Sequence, residues 1–372
     1  MGDAQEIGQR DQRFMQRAIQ LAARGAGVVA PNPLVGCVLV KGKRIIGEGW
    51  HKGPGKPHAE VEALNDAGEE ARGSTAYVSL EPCNHTGRTG PCSTALIEAD
   101  IVELVYAIAD PNLEAAGGAQ KLQAAGVHVR SGICEDLARH TNRAWLHALK
   151  YQKPYVIAKT AMSLDGRIAT KTGESQWITS TNSRTSSHRL RAGVDAIIVG
   201  AGTVIADDPA LTARIDGDIK YPLRVVLDST GRTSPGAKAY ERSGKGAVLA
   251  ATKAISTSRI AAFEEMGVNI LSLLADHHGR PDLTELLGVL FKRDITTIMV
   301  EGGGEVLGAF FDADLIDEIE LYIAPKLIGG GKPAFGGAGV EHLADAGRFE
   351  FAAPEQCGPD ILMRGIRRPE AR

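Results

Sequence analysis

Hydrophobic positions in the first 150 residues recur with two periods, one typical of helices and one typical of strands. Apolar residues between Phe14 and Ala22 share one face of a helix predicted over 10–25. Short apolar runs bounded by turn-forming residues predict strands between further helical segments. The predicted strands are 34–40, 44–50, 74–80, 102–108 and 127–132, and the predicted helices are 58–71, 91–100, 119–126 and 135–152. The turn "KGK" joins the first two strands as a hairpin.

The pattern breaks at Lys153-Pro154 and then starts again with the strand-like stretch 155–169. Helical segments lie between several of the later strands. The further predicted strands are 195–200, 224–229, 246–251, 269–274, 296–304 and 316–328, with a polar loop at 240–245. Alternation of strands and helices in both halves predicts two α/β domains, residues 1–150 and residues 151–372.

Composition narrows the classes of function. The 372 residues are 43% hydrophobic and 23% charged, with a formal net charge of -3, so no basic surface is expected for nucleic acid or anionic lipid. We find no signal peptide and no apolar run near the roughly 20 residues that span a membrane. Five cysteines without an export signal favour the reducing cytoplasm, where clustered cysteines more often bind metal than form disulfides.

Two short motifs carry the ligands of a catalytic zinc site. "PHAEVEAL" supplies His58 and Glu60, and "EPCNHTGRTGPC" supplies Cys83 and Cys92. One imidazole and two thiolates would leave the fourth zinc position to water, which the ion activates. Glu60 then serves as the proton shuttle to a leaving amine. Because residues two apart on a helix point to nearly opposite sides, the two residues share a site only if His58 stands at the helix entry.

Structural alternatives exist for each of these residues. A closed structural zinc site would need a fourth ligand, and His85 is the candidate. Cys37 lies inside an apolar strand and is interpreted as a core residue. Pro91 suits the first position of a helix, which would place Cys92 at a positively polarised helix end that favours a thiolate.

His58-Ala59-Glu60, Pro82-Cys83 and Cys92 together resemble the cytidine deaminase superfamily. The eight residues between the cysteines, with "PNPLVGCVLV" and "HKGPGKPHAEVEAL", resemble the deaminase domain of the bacterial riboflavin-pathway RibD family. The resemblance implies a cytidine-deaminase-like three-layer α/β/α domain. It also implies that Asn32 holds the pyrimidine, although a turn residue before Pro33 is the alternative, and that the substrate pocket includes His85, Arg88 and Thr89.

The chain departs from this family at one point. The family has a basic residue between two glycines after its Asp-Pro-Asn segment. Here "DPNLEAAGGAQKL" places Gly117 beside Gly118 and is one residue shorter. The resemblance therefore does not assign to this segment the phosphate contact that the basic residue could provide.

The second half contains a strand, a triple-glycine turn and a helix start in "TTIMVEGGGEVLGAFF". Backbone amides at such a turn can bind a phosphate, although a glycine turn is also common as a purely structural feature. The spacing is not that of the Rossmann fingerprint. Ser229 and Arg232 follow the strand "RVVLD" and would suit a 2′-phosphate, which favours NADP over NAD.

"KTAMSLDGRIA", "GESQWITS", "LRAGVDAIIVGAGTVIADDPALTAR" and "VEGGGEVLGAFF" resemble the reductase domain of the same family, which has a dihydrofolate-reductase-like α/β fold. The resemblance implies NADPH contacts at Ala161, Trp177, Thr203, Asp207, Ser229, Gly303, Gly304, Glu305, Val306, Leu307, Gly308 and Ala309. It implies substrate contacts at Ser175, Arg191, Leu211, Arg214 and Glu301. Lys159 or Asp207 could supply the proton that accompanies hydride transfer, and the sequence does not choose between them.

These observations lead to the hypothesis of a bifunctional riboflavin-biosynthesis enzyme. Its first domain would deaminate 2,5-diamino-6-ribosylamino-4(3H)-pyrimidinone 5′-phosphate with zinc, and its second would reduce the ribosyl group to ribityl with NADPH. The resemblance further implies a homo-oligomer. Two alternatives are a nucleic-acid-editing deaminase, which the aromatic content of 5% and the charge disfavour, and a non-catalytic zinc protein with a nucleotide-sensing domain, which would have no use for Glu60.

Overall fold

A computed structural model describes residues 2–87, 90–241 and 243–368, with side chains from residue 8 onward. The chain divides into two compact units, residues 1–152 and 153–372. In the part of the chain that is described, no helix combines the length and the apolar character needed to cross a bilayer.

The first unit contains a five-stranded sheet in the order β2-β1-β3-β4-β5. The strands are β1 (Gly36–Lys41), β2 (Arg44–Trp50), β3 (Thr75–Leu80), β4 (Glu103–Ile108) and β5 (His128–Ser131). The helices are α1 (Gly2–Ala22), α2 (Ala59–Ala67), α3 (Cys92–Glu98), α4 (Gly118–Ala124), α5 (Glu135–Thr141) and α6 (Arg143–Tyr151). β1 runs antiparallel to both of its neighbours, and β3, β4 and β5 are parallel.

The two faces of this sheet are both covered, because successive strand residues point to opposite sides. Val38 and Val40 belong to a core with α1, α5 and α6. Cys37 and Leu39 belong to a second core with α2, α3 and α4. The predicted three-layer α/β/α arrangement is therefore confirmed, as is the core position of Cys37.

The single helix predicted over 135–152 is wrong, since α5 and α6 are separate helices. Asn142 stands between them with φ −95° and ψ 12°. Its buried side-chain amide accepts a hydrogen bond from the Leu34 N–H (2.8 Å) and donates one to the Leu34 carbonyl (2.9 Å). The residue that interrupts the helix therefore fixes the loop before β1, which also carries Asn32.

The second unit is built on a mixed sheet. Its strands are β6 (Tyr155–Ser163), β7 (Arg167–Ala169), β8 (Ala196–Gly200), β9 (Ala213–Ile215), β10 (Asp218–Lys220), β11 (Leu223–Leu227), β12 (Ala247–Thr252), β13 (Asn269–Leu273), β14 (Thr297–Glu301), β15 (Glu318–Ala324), β16 (Lys332–Pro333), β17 (Phe349–Phe351), β18 (Glu355–Cys357) and β19 (Asp360–Arg367). Its helices are α7 (Thr181–Ala192), α8 (Ala201–Asp207), α9 (Thr257–Glu265), α10 (Leu283–Phe291) and α11 (Gly304–Asp312).

The main sheet has the order β13-β12-β11-β8-β14-β6-β15-β19-β17, with β18 also paired to β19. Strands from β13 to β15 are parallel, and β19 adds antiparallel to β15. The predicted strand 155–169 is two strands, β6 and β7, and the strand predicted over 316–328 stops at Ala324 because Pro325 follows. Parallel strands end at a common edge, which brings the ends of β8 and β14 together.

Candidate active sites

Three side chains of the first unit form a cluster with metal-ligand geometry. His58 Nδ1 lies 3.5 Å from the Cys83 Sγ and 3.3 Å from the Cys92 Sγ, and the ligand atoms all lie within 4.8 Å of one another. Tetrahedral zinc with bonds of about 2.3 Å to sulfur and about 2.0 Å to nitrogen separates a nitrogen and a sulfur ligand by about 3.5 Å. The donor set and its spacing therefore fit one zinc ion.

The local backbone explains why His58 and Glu60 can act together. His58 is the N-cap of α2, with extended dihedrals of φ −74° and ψ 167°, so it precedes the regular helix. Glu60 lies in the first turn of α2 and is 3% exposed. Burial, followed by the negative charge of Cys83, raises the pKa of Glu60 to about 7. A carboxyl group with this pKa can both accept and return a proton near neutral pH.

The two cysteines stand at the two ends of one loop. Pro91 is the N-cap of α3 rather than its first residue, and Cys92 begins the helix. The backbone N–H of Cys92 lies 3.4 Å from the Cys83 sulfur, which adds a donor at the helix start. A hydrogen bond from the Cys92 side chain and a smaller contribution from His58 lower the pKa of Cys83, although burial opposes both. Two adjacent buried sulfurs ionise together only beside a cation, as zinc would provide.

Among the other predicted deaminase residues, Asn32 is linked to this cluster through His51, whereas His85 is not part of it. The Asn32 amide nitrogen lies 2.9 Å from His51 Nε2, and the His51 ring lies 5.2 Å from the His58 ring. His85 is exposed and is not a member of the metal cluster found among the described residues, so it gives no fourth ligand there. Arg88 and Thr89 lie outside the described residues.

The shortened segment after Asp110 forms a wall of the metal cluster. Ala115 packs against Cys83 and Cys92, and its carbonyl accepts a hydrogen bond from the Asn84 N–H at 2.8 Å. A β-carbon on Gly118 would lie 1.8 Å from the Pro82 carbonyl oxygen. The adjacent glycines therefore allow α4 to start directly against the loop that carries Cys83.

The second unit contains a cavity of about 670 Å³ at the ends of its parallel strands. Twelve of the residues predicted for the reductase line it: Lys159, Ala161, Ser175, Trp177, Arg191, Thr203, Asp207, Leu211, Arg214, Glu301, Gly303 and Leu307. They come from segments that are far apart in the sequence, and the parallel sheet brings them together.

Glu301 is the centre of the charged groups in this cavity. Its Oε1 accepts a hydrogen bond from the Lys159 ammonium (2.8 Å) and its Oε2 accepts one from the Arg191 Nε (2.7 Å). Burial would raise the pKa of Glu301, but the two cations lower it well below its usual value. Arg191 also donates a hydrogen bond to the Thr212 carbonyl, which fixes the guanidinium that orients Glu301. The other predicted cation of this cavity, Arg214, is exposed.

The triple-glycine turn contributes in part to the cavity. Gly302 and Gly303 have φ of 102° and 72°, and both face Thr203 at the start of α8. A side chain at Gly304 would meet the Pro333 carbonyl oxygen at 2.3 Å, and one at Gly308 would meet the Gly336 carbonyl oxygen at 1.6 Å. Those two glycines allow close packing against the segment 333–337. Glu305, Val306, Gly308, Ala309, Gly304 and Ser229 are not among the residues that line the cavity.

Three residues of these sites, His51, His188 and Tyr322, were not predicted from the sequence. His51 is 4% exposed and contacts Asn32, but it stands in a glycine- and proline-rich stretch that resembles an ordinary turn. His188 and Tyr322 line the cavity of the second unit. The period of α7 could have placed His188 on the same face as Arg191, whereas Tyr322 lies in a strand that resembles plain core.

Comparisons with known proteins match both units. Residues 8–108 match the family described as "Cytidine and deoxycytidylate deaminase zinc-binding region", and residues 154–363 match "RibD C-terminal domain". The "Riboflavin biosynthesis protein RibD" of Escherichia coli (strain K12) is 42% identical over 369 residues, covering 95% of this chain and 98% of that protein. The corresponding protein of Bacillus amyloliquefaciens is 39% identical over 360 residues, covering 96% of each.

Solved structures give the same result. Acinetobacter baumannii RibD (form 1) has a TM-score of 0.85 at 41% identity, covering 97% of this chain and 100% of that one. A diaminohydroxyphosphoribosylaminopyrimidine deaminase/5-amino-6-(5-phosphoribosylamino)uracil reductase from Thermotoga maritima has a TM-score of 0.83 at 32% identity, covering 97% and 99%. With these similarities over nearly its full length, the chain belongs to the RibD family of bifunctional deaminase and reductase enzymes of riboflavin biosynthesis.

Proposed function

We propose that His58, Cys83 and Cys92 bind the zinc ion of the deaminase and that Glu60 is its proton shuttle. The observation that carries this proposal is the convergence of one imidazole and two sulfurs at tetrahedral spacing beside a buried carboxyl group. Zinc held by these ligands would activate water as a Lewis acid. Glu60 takes a proton from water and transfers it to the leaving amine. The deaminase domain comprises residues 1–150.

The substrate of this first domain is 2,5-diamino-6-ribosylamino-4(3H)-pyrimidinone 5′-phosphate, whose 2-amino group leaves as ammonia. Asn32 binds the pyrimidine ring, and His51 orients Asn32 through their 2.9 Å contact. Asn142 supports the same loop through the Leu34 backbone. His85, Arg88 and Thr89 complete the substrate pocket.

The reductase domain comprises residues 151–372 and uses NADPH, which supplies a hydride when bound. The cavity is large enough for a nicotinamide and the reacting sugar, and it is lined by the predicted cofactor contacts Ala161, Trp177, Thr203, Asp207, Gly303 and Leu307. Amides after the triple-glycine turn provide donors for the phosphates. We also assign cofactor contacts to six predicted residues that do not line the cavity: Gly304, Glu305, Val306, Gly308, Ala309 and Ser229.

The preference for NADPH over NADH rests on Ser229 and Arg232 at the end of β11. The Arg232 side chain is 66% exposed and its Nε lies 3.7 Å from the buried Asp228, so the guanidinium stands at the surface and is accessible to a 2′-phosphate. Replacing Arg232 with alanine should reduce the kcat/KM ratio of NADPH to NADH about tenfold, since one charge-assisted contact is lost. An unchanged ratio would remove Arg232 from this role.

We assign the substrate contacts of the reductase to Ser175, Arg191, Leu211, Arg214 and Glu301, with Arg214 as the exposed cation for the ribose 5-phosphate. Lys159 is the proton donor that accompanies hydride transfer to C1′. It is 8% exposed and is held by Glu301 inside the cavity. Asp207 is exposed at the cavity wall and accepts a hydrogen bond from Gln176, which favours a role in cofactor binding.

The purified chain, given the diamino pyrimidine phosphate with and without NADPH, tests the whole scheme. Ammonia should appear in both reactions, and NADPH should be consumed only after deamination. A chelator that removes zinc should stop ammonia release, while reduction of the deaminated substrate should continue. Consumption of NADPH before any ammonia appears would contradict the order of the two steps.

We further propose that the protein is a cytoplasmic homo-oligomer. All five cysteines lie among the described residues and none of them forms a disulfide, which suits a reducing compartment. Large apolar side chains are exposed in the second unit, including Leu327 at 76% and Leu343 at 91%, which suits a contact with another copy. Light scattering after size-exclusion chromatography should give a mass of at least twice the 39.3 kDa of one chain, and a mass of 39.3 kDa would contradict the proposed oligomer.

A further inference from the structure

Lys159 lies between two glutamates on one face of the reductase sheet. In the parallel pairing of β14 with β6, Glu301 is directly opposite Lys159. In the pairing of β6 with β15, Glu320 is directly opposite Lys159 on the other side. Residues that are opposite each other in neighbouring strands point to the same face, so either carboxylate could take the ammonium.

The ammonium bonds to Glu301, and both oxygens of Glu320 have other partners. Glu320 Oε1 accepts a hydrogen bond from the Arg364 Nε at 2.9 Å, and Arg364 is opposite Glu320 in the pairing of β15 with β19. Glu320 Oε2 accepts a hydrogen bond from the Tyr322 hydroxyl at 3.1 Å. Glu320 is 5% exposed, so water has little access to replace either partner.

Tyr322 is placed to act on both Glu320 and Lys159. It is opposite Ala161, whose small side chain leaves room for the ring, and the Lys159 Nζ lies 5.6 Å from the ring centroid. The tyrosine is 1% exposed and lines the cavity. Because its single hydroxyl proton goes to Glu320, the Ser186 hydroxyl, 3.0 Å away, donates to the tyrosine oxygen.

We propose that Tyr322 is a positioning residue of the reductase: its hydroxyl holds Glu320 Oε2, which keeps that carboxylate from competing with Glu301 for Lys159. The Lys159 ammonium then has one carboxylate partner and lines the cavity. The inference rests on the proposed role of Lys159 as proton donor.

The test compares Tyr322→Phe with the double variant Tyr322→Phe/Glu320→Gln. Phenylalanine keeps the ring and removes the hydroxyl, so Glu320 can turn toward Lys159, and we expect kcat for NADPH-dependent reduction of the deaminated substrate to fall about tenfold. The KM for NADPH should not change. Glutamine at 320 removes the competing charge, so the double variant should recover kcat to within about twofold of the wild type.

Three controls separate this inference from other causes. Ser186→Ala removes the second hydrogen bond of Tyr322 without freeing Glu320 and should leave kcat within about twofold of the wild type. Ammonia release, which belongs to the other unit, checks that each preparation is intact. Lys159→Met tests the proton-donor role separately: retained reductase activity there would overturn that role, and the inference with it.

The inference about Tyr322 fails on either of two results while Lys159 remains essential. One is a wild-type kcat in Tyr322→Phe. The other is a double variant that is as slow as Tyr322→Phe, because a purely structural loss would not be recovered by changing Glu320.

Discussion

Glu60 and Glu301 are both carboxylates withdrawn from water, one in each unit, and their pKa values shift in opposite directions. Burial raises the pKa of each. In the first unit burial, with a smaller contribution from the negative charge of Cys83, raises the pKa of Glu60 to about 7. In the second unit Arg191 and Lys159 overcome the effect of burial and lower the pKa of Glu301.

The difference shows that the charge of the neighbours, and not burial alone, decides which task a buried carboxyl group can perform. Glu60 can exchange a proton near neutral pH, which suits a shuttle. Glu301 stays ionised over the working range and holds two cations in place, so it can orient a proton donor without being one.

The largest effect is expected from Glu60→Gln. Glutamine keeps the size of the side chain and removes its ability to carry a proton, so ammonia release should fall about 10³-fold. Zinc content, measured by atomic emission, should not change, because the proposed ligands are His58, Cys83 and Cys92. NADPH-dependent reduction of an already deaminated substrate should also be unchanged. Ammonia release that persisted undiminished would show that Glu60 is not the shuttle.

Glu301→Gln tests the other side of the comparison. Lys159 and Arg191 would then lie side by side without a carboxylate, and we expect the reductase kcat to fall about 100-fold with deamination unchanged. Glu265→Gln, at an exposed position at the end of α9, is the matched control and should have no effect on either activity. A Glu301→Gln variant with normal kcat would mean that the ionised carboxylate is not needed to orient Lys159.

The two sites also differ in how much of each could be predicted from the sequence. The proposed zinc ligands lie in two short motifs whose own geometry, a helix entry at His58 and a helix start at Cys92, places them. The cavity in the second unit draws on strands and helices from Lys159 to Tyr322, and only the sheet order brings them together. Its residues could be predicted from the resemblance to a family but not from local sequence patterns.

Several features could not be predicted because the deciding contact is distant in the sequence. Asn142 interrupts a helical pattern by bonding to Leu34, which is 108 residues away. The strands β17, β18 and β19 carry charged residues on partly exposed faces, so alternation does not identify them. The glycines of α11 resemble a phosphate-binding turn, yet Gly308 is required by the backbone of Gly336.

Gly308→Ala sharpens this distinction between packing and binding. A β-carbon 1.6 Å from the Gly336 carbonyl oxygen forces the segment to move, so the free energy of unfolding of the second unit should fall by about 2 kcal/mol. Gly288→Ala, in α10 with open space around it, should instead raise that free energy by about 1 kcal/mol. Urea titrations followed by circular dichroism measure both, independently of cofactor binding. Equal stability of the two variants would show that α11 has room for a side chain.

Asp317 extends the comparison to a half-buried carboxyl group outside both sites. Burial raises its pKa to about 6, while Lys153 and Arg367 only partly oppose this, and its Oδ2 accepts a hydrogen bond from the Val156 N–H at 2.9 Å. The folded pKa lies above the unfolded value of about 4, so the stability from the neutral form is fully present below about pH 4 and is lost as pH rises through 6.

Asp317→Asn keeps an oxygen that can accept the Val156 N–H and removes the charge. Above pH 6 the variant should therefore be more stable than the wild type by about 1 kcal/mol, a value reduced for the partial exposure of the side chain, and the difference should vanish near pH 4. Urea unfolding of the second unit at pH 4 to 8 measures it. A difference that is constant with pH would mean that the ionised Asp317 is compensated as fully as Glu301, and that its neighbours rather than burial set its pKa.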